Sequence, residues 1–212
     1  RMQQDRIQQG KMGKILCTAV LLAGGRSSRM GFDKQLLEKN HKRLSICLAE
    51  ELLKAFREVL VVTNTPELYQ ELPVKTCSDI YPGQGPVSGM HSAFCHCGAD
   101  RIFVMACDMP GFCAEYARYQ AERMQKEQTE ACVTMRGEKM EPFHGFYSRS
   151  LLKDMEARLV QRKTSVFKLL QTHAVTRIDE EEMRRYVAPE KLFCNLNTPQ
   201  DYEIYAKSTE ES

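Results

Sequence analysis

Residues Ile15-Leu16-Cys17-Thr18-Ala19-Val20-Leu21-Leu22-Ala23-Gly24-Gly25-Arg26-Ser27-Ser28-Arg29-Met30-Gly31-Phe32-Asp33-Lys34 form an apolar run that breaks at a glycine pair and then turns polar and basic. Ile15 to Leu22 has the unbroken apolar character of a strand buried on both faces of a parallel sheet. Gly24-Gly25 lets the backbone come close to a ligand and adopt φ angles that other residues resist. Successive backbone N–H groups in such a loop make a concavity that attracts anions. Arg29 and Lys34 add positive charge at its far side. The chemistry that fits is capture of a nucleoside triphosphate. Two common phosphate loops do not fit. Gly25 and Gly31 are wrongly spaced for G-x-x-x-x-G-K-[ST], and Gln35 follows Lys34. The dinucleotide pattern G-x-G-x-x-G fails because Gly24 and Gly25 are adjacent and Gly31 is too far away.

Outward from this loop, strand and helix patterns alternate, which argues for an α/β fold with a mainly parallel sheet. Leu44, Leu48, Leu52 and Ala55 lie at helical spacing and predict a helix over Leu44 to Ala55. Glu58 to Thr63 reads as the second strand and Val74 to Cys77 as a short third. Pro82, Gly83, Gly85 and Pro86 shape a turn, and a helix should follow from Val87 to Cys97. Arg101 to Cys107 is an apolar strand ending in Asp108. Cys113 to Lys126 reads as a helix. Cys132 to Met135 and Glu141 to Tyr147 read as strands joined by a tight turn at Arg136-Gly137-Glu138-Lys139. Helices near Ser150 to Leu159 and Ser165 to His173 follow, then strands at Ala174 to Arg177 and Leu192 to Asn195. A closing helix starts at Thr198-Pro199, with Thr as N-cap and Pro at the first helical position. One domain over residues 15–206 is expected, with polar tails at 1–14 and 207–212.

The bulk properties agree with a soluble α/β protein. The chain has 212 residues, 42% hydrophobic and 27% charged, with a net charge of +2. That charge gives no case for binding polyanions such as nucleic acid. No apolar stretch approaches the ~20 residues that span a bilayer, and Arg1 to Lys14 lacks the apolar core of a secretory signal. A cytoplasmic protein is expected. Its nine cysteines are odd in number and scattered, so reduced thiols are expected rather than a disulfide framework. Cys95-His96-Cys97 has no second Cys or His pair at zinc spacing.

In open parallel sheets ligands bind at the carboxyl ends of the strands. Gly24-Gly25, Asn64 and Asp108 each follow a predicted strand, so one face can gather them. A strand-end Asp is either a cap or a cation ligand, and NTP chemistry needs Mg²⁺, which takes one or two carboxylates besides phosphate oxygens and waters. Arg29 and Lys34 suit stabilisation of spread negative charge at a transferring phosphoryl group. Taken alone, Asn64 reads better as a cap of Pro66-Glu67 and Asp79 as a turn residue, while the Asn195 and Asn197 amides could meet an acceptor or serve as turn and helix caps. Arg162, Lys163 and Lys168 could assist a phosphorylated acceptor but read better as a solvated helix face, and His144, beside Pro142, reads better as an ordinary sheet histidine than as a pocket residue. No Ser-His-Asp or Cys-His arrangement is discernible, so covalent catalysis is disfavoured. Residues alone give NTP-dependent nucleotidyl transfer, with a non-catalytic nucleotide-binding protein as the rival.

The string LAGGRSSRMGFDK resembles the signature of the molybdenum cofactor guanylyltransferases, L-A-G-G-x-S-x-R-M-G-x-D-K, at every fixed position. The likeness recurs in the family's order at Val61-Val62-Thr63-Asn64, Ser78-Asp79, Gly85-Pro86-Val87-Ser88-Gly89, Cys107-Asp108-Met109-Pro110 and Phe193-Cys194-Asn195-Leu196-Asn197-Thr198-Pro199. It spans roughly residues 15 to 205. The resemblance implies a three-layer, Rossmann-like nucleotidyltransferase fold with a mainly parallel mixed sheet. It implies transfer of GMP from GTP to the terminal phosphate of molybdopterin, with Mg²⁺ as cofactor and release of pyrophosphate. It places Leu22, Ala23, Gly24, Gly25, Lys34, Asn64, Asp79 and Asp108 at GTP, with Asp108 also holding the metal. Arg29, Lys34 and Asp108 are then the catalytic residues, and Asn195 and Asn197 meet the acceptor. Partners implied are the two substrates and molybdoenzyme chaperones or cofactor-insertion proteins, without nucleic acid or membrane. CTP with molybdopterin, or an NTP with a sugar or alditol phosphate, remain the alternative substrate pairs.

Overall fold

β1 (Ile15–Leu22) feeds two cores at once. Cys17, Ala19 and Leu21 face one, and Val20 and Leu22 face the other. This period of two across a continuous apolar run is what burial on both faces requires. The computed structural model describes residues 13–24, 34–39 and 41–208, with side chains at 34, 39, 199 and 206–208 left aside.

A 3-10 turn at Lys34–Leu36 leads into a hairpin of β2 (Glu38–Lys39) and β3 (Lys42–Arg43). The chain then enters α1 (Leu44–Ala55), which buries Leu44, Leu48 and Leu52 at 5%, 2% and 0% exposure. Each such leucine contributes roughly 1.5–3 kcal/mol through burial. At Phe56 the backbone becomes extended and runs straight into β4 (Phe56–Val62), which pairs parallel to β1. β5 (Lys75–Cys77) adds on the outer side of β4. α2 (Gly85–His96) returns the chain across the sheet to β6 (Arg101–Ala106), which pairs parallel to β1 on its other side. The strand order therefore reverses between β1 and β6.

The second half comprises α3 (Ala114–Glu127), β7 (Ala131–Arg136), β8 (Lys139–Ser148), α4 (Leu152–Val160), α5 (Val166–Leu170) and β9 (Val175–Asp179). Short α6 (Glu180–Met183) and α7 (Pro189–Leu192) precede α8 (Pro199–Ser208). Among the described residues the main sheet has seven strands in the order β5-β4-β1-β6-β8-β7-β9. β8 runs antiparallel to both of its neighbours, and β9 runs parallel to β7. α1 and α3 cover one face, through residues such as Leu48 and Tyr116. α2, α4 and α5 cover the other, through Met90, Met155 and Leu169. This is the expected three-layer α/β sandwich with a mainly parallel mixed sheet. No helix among the described residues is long and apolar enough to cross a membrane.

The main departure from expectation is at Leu192 to Asn195, which is not a strand. Pro189 starts one helical turn, closed by Phe193 N–H donating to the Pro189 carbonyl at 2.9 Å. Beyond it the backbone pairs with no ladder, and Leu196 N–H donates to the Asp108 carbonyl at 2.8 Å. Pro at the start of a helical turn is the favoured arrangement, and a tertiary hydrogen bond then replaces the strand. The helix expected over Ser165 to His173 is confined to Val166–Leu170, with the Ser165 hydroxyl accepting from Lys168 N–H at 3.2 Å. All nine cysteines are free thiols, and Cys17, Cys77, Cys97, Cys107 and Cys132 are buried.

Candidate functional site

The reversal of strand order between β1 and β6 leaves a crevice at the carboxyl rim of the sheet, the place where open α/β sheets bind ligands. A cavity of about 670 Å³ occupies it, lined among others by Leu22, Gly24, Asn64, Asp79, Phe143 and Asp108. A second depression of the same volume, about 670 Å³, opens at the opposite rim beside Leu16, Arg57 and Arg101. Volume does not separate the two, but topology does, because only the first lies where the crossing chain parts two parallel strands.

The crevice is framed by backbone hydrogen bonds that continue the sheet past its strands. Ala23 N–H donates to Val62 O at 3.0 Å, Thr63 N–H to Cys77 O at 2.8 Å, and Cys107 N–H to Leu22 O at 3.1 Å. Ala23 itself is 1% exposed and lies behind the cavity wall, with its amide engaged by the sheet. Gly24 is the first residue to reach the crevice, and a Cβ there would sit 3.8 Å from Asp79 Oδ2. The floor requires Gly89 on α2, where a Cβ would fall 2.6 Å from Leu22 Cδ2. On the near side, Gly83 and Gly85 take φ values of 75° and 69° and aim the turn into α2. That left-handed pair is the physical reason for the glycine spacing.

Asp79 is partly buried in this turn. Its Oδ1 accepts from the Ser88 hydroxyl at 3.2 Å. Burial raises its pKa, and the Ser88 hydrogen bond opposes the rise only partly. Such a partly desolvated carboxylate favours a ligand that donates N–H or O–H groups to it. Asp108 follows β6 directly and lines the same cavity. Asn195 and Asn197 lie outside the cavity lining but flank the buried Leu196, whose N–H holds Asp108 O. Thr198 N–H donates to Asp201 Oδ2 at 2.8 Å and Asp201 N–H to Thr198 Oγ1 at 3.1 Å, and Asn197 N–H also donates to Asp201 Oδ2 at 3.0 Å. This is a reciprocal cap of α8, and it fixes the backbone that leads from Leu196 into that helix.

Gly25 and Arg29 lie outside the described residues, and Lys34 is described by its backbone alone, in the 3-10 turn at Lys34–Leu36. Arg162, Lys163 and Lys168 are exposed, on and around the link between α4 and α5, and do not line the cavity. His144 is fully buried; its Nε2 accepts from Cys113 N–H at 3.3 Å and its Nδ1 pairs with Gln120 Oε1 at 2.9 Å. Burial pushes its pKa down to about 3, so it is a neutral structural group pinning the start of α3 to β8. Sequence reasoning missed Gln35, Thr65 and Phe143 as cavity residues. The Pro82 to Gly89 turn carried a signal in its glycine spacing, but Gln35 carried none.

Two carboxylates, Asp79 and Asp108, line the cavity. Among the described residues no group of three or more His, Cys, Asp or Glu side chains could hold a metal by itself. The donor set fits Mg²⁺ as it accompanies a nucleotide, held by one or two carboxylates with phosphate oxygens and water completing the shell. It does not fit a structural metal cage.

A Rossmann-like sheet with a glycine at the crevice after its first strand, a carboxylate after the strand across the switch point, and a crevice of nucleotide size between them defines a nucleotidyltransferase. The chain belongs to the MobA-like NTP transferase family, whose family model matches residues 19–177. It is 39% identical over 203 residues to a "Probable molybdenum cofactor guanylyltransferase" of Peptoclostridium acidaminophilum, covering 93% of this chain and 92% of that one. It is 38% identical over 190 residues to the molybdenum cofactor guanylyltransferase of Syntrophotalea carbinolica, covering 90% of each. In structure it resembles the molybdopterin-guanine dinucleotide biosynthesis protein A of Archaeoglobus fulgidus, with a TM-score of 0.81 at 23% identity over 92% of this chain and 100% of the other.

Proposed function

We propose that this chain transfers GMP from GTP to the terminal phosphate of molybdopterin, forming the guanine dinucleotide form of the cofactor and releasing pyrophosphate. The observation that carries the reading is the single cavity at the switch point, which brings Gly24, Asn64, Asp79 and Asp108 together from four separate strand ends. Its volume of about 670 Å³ falls in the ordinary range for small-molecule sites. The relatives' names supply the guanine and the acceptor.

In this reading an acceptor phosphate oxygen attacks the α-phosphorus of GTP, a P–O bond forms, and the bond to the β-phosphate oxygen breaks. Little covalent chemistry is asked of the protein, which positions the groups and offsets charge. Mg²⁺ would neutralise phosphate charge, with Asp108 as its protein ligand. Gly24 and Gly25 offer backbone N–H groups to the triphosphate, and Arg29 and Lys34 stabilise charge on the transferring and leaving phosphates. Asn64 and Asp79 hold the nucleoside. Asn195 and Asn197 orient the acceptor beside Asp108, through the Leu196–Asp108 backbone bond.

The test is incubation of the full chain with Mg²⁺, purified molybdopterin and either GTP or CTP, followed by mass analysis and pyrophosphate release. The GMP adduct is expected with GTP, and at least 10-fold less product with CTP, as one mismatched polar edge in a buried site implies. Equal or faster reaction with CTP, or no adduct with either nucleotide, overturns the reading.

A further inference from the structure

The residue after Lys34 is a glutamine that is only 3% exposed. A neutral amide this deep must satisfy its polar atoms within the protein. Thr63 Oγ1 donates to Gln35 Oε1 at 2.8 Å, and Tyr69 OH donates to the same oxygen at 3.0 Å. Gln35 Nε2 donates to Thr65 Oγ1 at 3.2 Å. The backbone carbonyl of Gln35 accepts from the Ser45 hydroxyl at 3.2 Å, and Leu44 N–H donates to Leu37 O at 2.8 Å. Gln35 and Leu37 therefore tie the turn to the start of α1 as well.

The partners are placed tellingly. Thr63 and Thr65 stand on either side of Asn64, and Thr65 N–H donates back to Thr63 Oγ1 at 3.0 Å. The amide thus grips the two neighbours of the nucleoside residue, while its own main chain carries Lys34 one position away in the same 3-10 turn. Gln35 also lines the cavity with Asn64 and Thr65. No other described side chain bonds to both Thr63 and Thr65.

We infer that Gln35 is a positioning residue, whose side-chain amide locks the Lys34 turn to the Thr63–Asn64–Thr65 segment and so fixes the phosphate-side cation relative to the nucleoside. The inference rests on the proposed nucleotidyl transfer for its catalytic half, but the lock itself does not. A shift of about 1 Å at a reacting group can reduce rate on the order of 100-fold, so a lock between these two segments has kinetic weight beyond its stability.

Gln35→Met keeps length and apolar bulk but abandons both hydroxyl donors. In the full chain it should raise amide hydrogen exchange at least 10-fold in residues 34–37 and 63–69 together, with β1 and β6 unchanged, as local opening of one unit requires. It should lower kcat on the order of 10- to 100-fold, with a smaller rise in KM for GTP. Adding Tyr69→Phe removes the hydroxyl that has lost Gln35 Oε1 as acceptor and should recover melting temperature without recovering kcat. Lys34→Ala combined with Gln35→Met should be no slower than Lys34→Ala alone, because the amide acts through the lysine. Unchanged exchange in either segment overturns the lock, whatever the enzyme does. Faster exchange with kcat within twofold of the parent overturns the positioning role, as does full multiplication of the two losses in the double variant. Recovery of kcat along with melting temperature makes the role purely structural. Absence of GMP transfer by the unsubstituted chain defeats the functional reading and leaves the exchange result standing.

Discussion

The two halves of the carboxyl rim are built from different materials. On the β5-β4-β1 side, glycines bring main chain to the cavity wall, at Gly24 after β1 and at Gly83, Gly85 and Gly89 around the start of α2, beside the side chains of Asn64 and Asp79. On the β8-β7-β9 side the rim is made of side chains. Lys139 Nζ lies 2.8 Å from Glu141 Oε1, Arg136 lies 3.8 Å from both Glu141 and Glu180, and its guanidinium stands 5.8 Å from the Phe193 ring centroid. A backbone-lined surface suits what every nucleoside triphosphate shares, because any sequence supplies N–H groups once the turn is right. A side-chain surface can be altered one substitution at a time, and the proposed function puts acceptor choice there. Asp108 sits at the seam, and its carbonyl is held by Leu196 from the segment before α8.

The seam offers the most severe way to break this division. Asp108→Asn keeps the carbonyl that Leu196 grips, so the fold and its melting temperature should stay within a few degrees. Turnover with GTP and acceptor should fall on the order of 10³-fold, the loss expected when a charged transition-state partner goes. GTP affinity measured without metal should change less than twofold. A variant retaining a tenth of parent turnover would remove Asp108 from the chemistry and dissolve the seam.

A paired substitution sharpens the contrast at a smaller effect. Asp79→Asn keeps an oxygen for Ser88 but removes the carboxylate from the nucleotide side. It should weaken GTP binding about 10-fold, equal to about 1.4 kcal/mol, and leave acceptor KM within twofold. Asn197→Ala keeps its backbone bond to Asp201 and should do the opposite, raising acceptor KM by a similar factor. Calorimetric GTP titration and steady-state kinetics separate the two. If both variants moved both constants alike, the rim would be one surface and the division would be false.

How legible each half was follows the same line. The ends of β1 and α1 were readable to the residue, Ile15–Leu22 and Leu44–Ala55, because an unbroken apolar run and a helical leucine repeat are local signals. The strand ends bearing Asn64 and Asp108 were equally local. The Leu192 to Asn195 segment misled because its apolar pattern mimics a strand while its geometry is set by Asp108, far away in sequence. Gln35 was illegible for the same reason: its partners lie 28, 30 and 34 positions on. Two-residue strands such as β2 and β3 carry no periodicity to read. The turn into α2 was written in glycine spacing, whereas Gln35 and the Leu192 to Asn195 segment are written in contacts between distant segments.

The smallest effect tests whether the β8-β7-β9 half of the sheet is held by charge at its opposite, amino-terminal rim. His173 Nδ1 lies 2.9 Å from Glu130 Oε2 and its Nε2 lies 3.1 Å from Asp154 Oδ2, so α4, the entry to β7 and the entry to β9 meet at one ring. Burial disfavours the charged ring, but the two carboxylates outweigh it and raise its pKa. Both nitrogens face acceptors, and only the doubly protonated ring can donate to each. Because the folded pKa is raised, this stabilisation is complete below the unfolded value of ~6.5 and fades as pH climbs through the folded one. Glu130 and Asp154 are themselves lowered, the first chiefly by the Ser150 hydroxyl, the second by His173 and Arg158 against an opposing burial effect. Their contribution is lost as pH drops below ~4, which leaves a window of roughly pH 5 to 6.5 for the full clamp. His173→Gln should therefore lower the melting temperature by about 3 °C at pH 6, the equivalent of ~1 kcal/mol for a chain of this size. The difference should shrink towards zero by pH 9 while GTP affinity stays within twofold throughout. A deficit that is the same at pH 6 and pH 9 would mean that the ring is neutral and that packing, not charge, joins these elements.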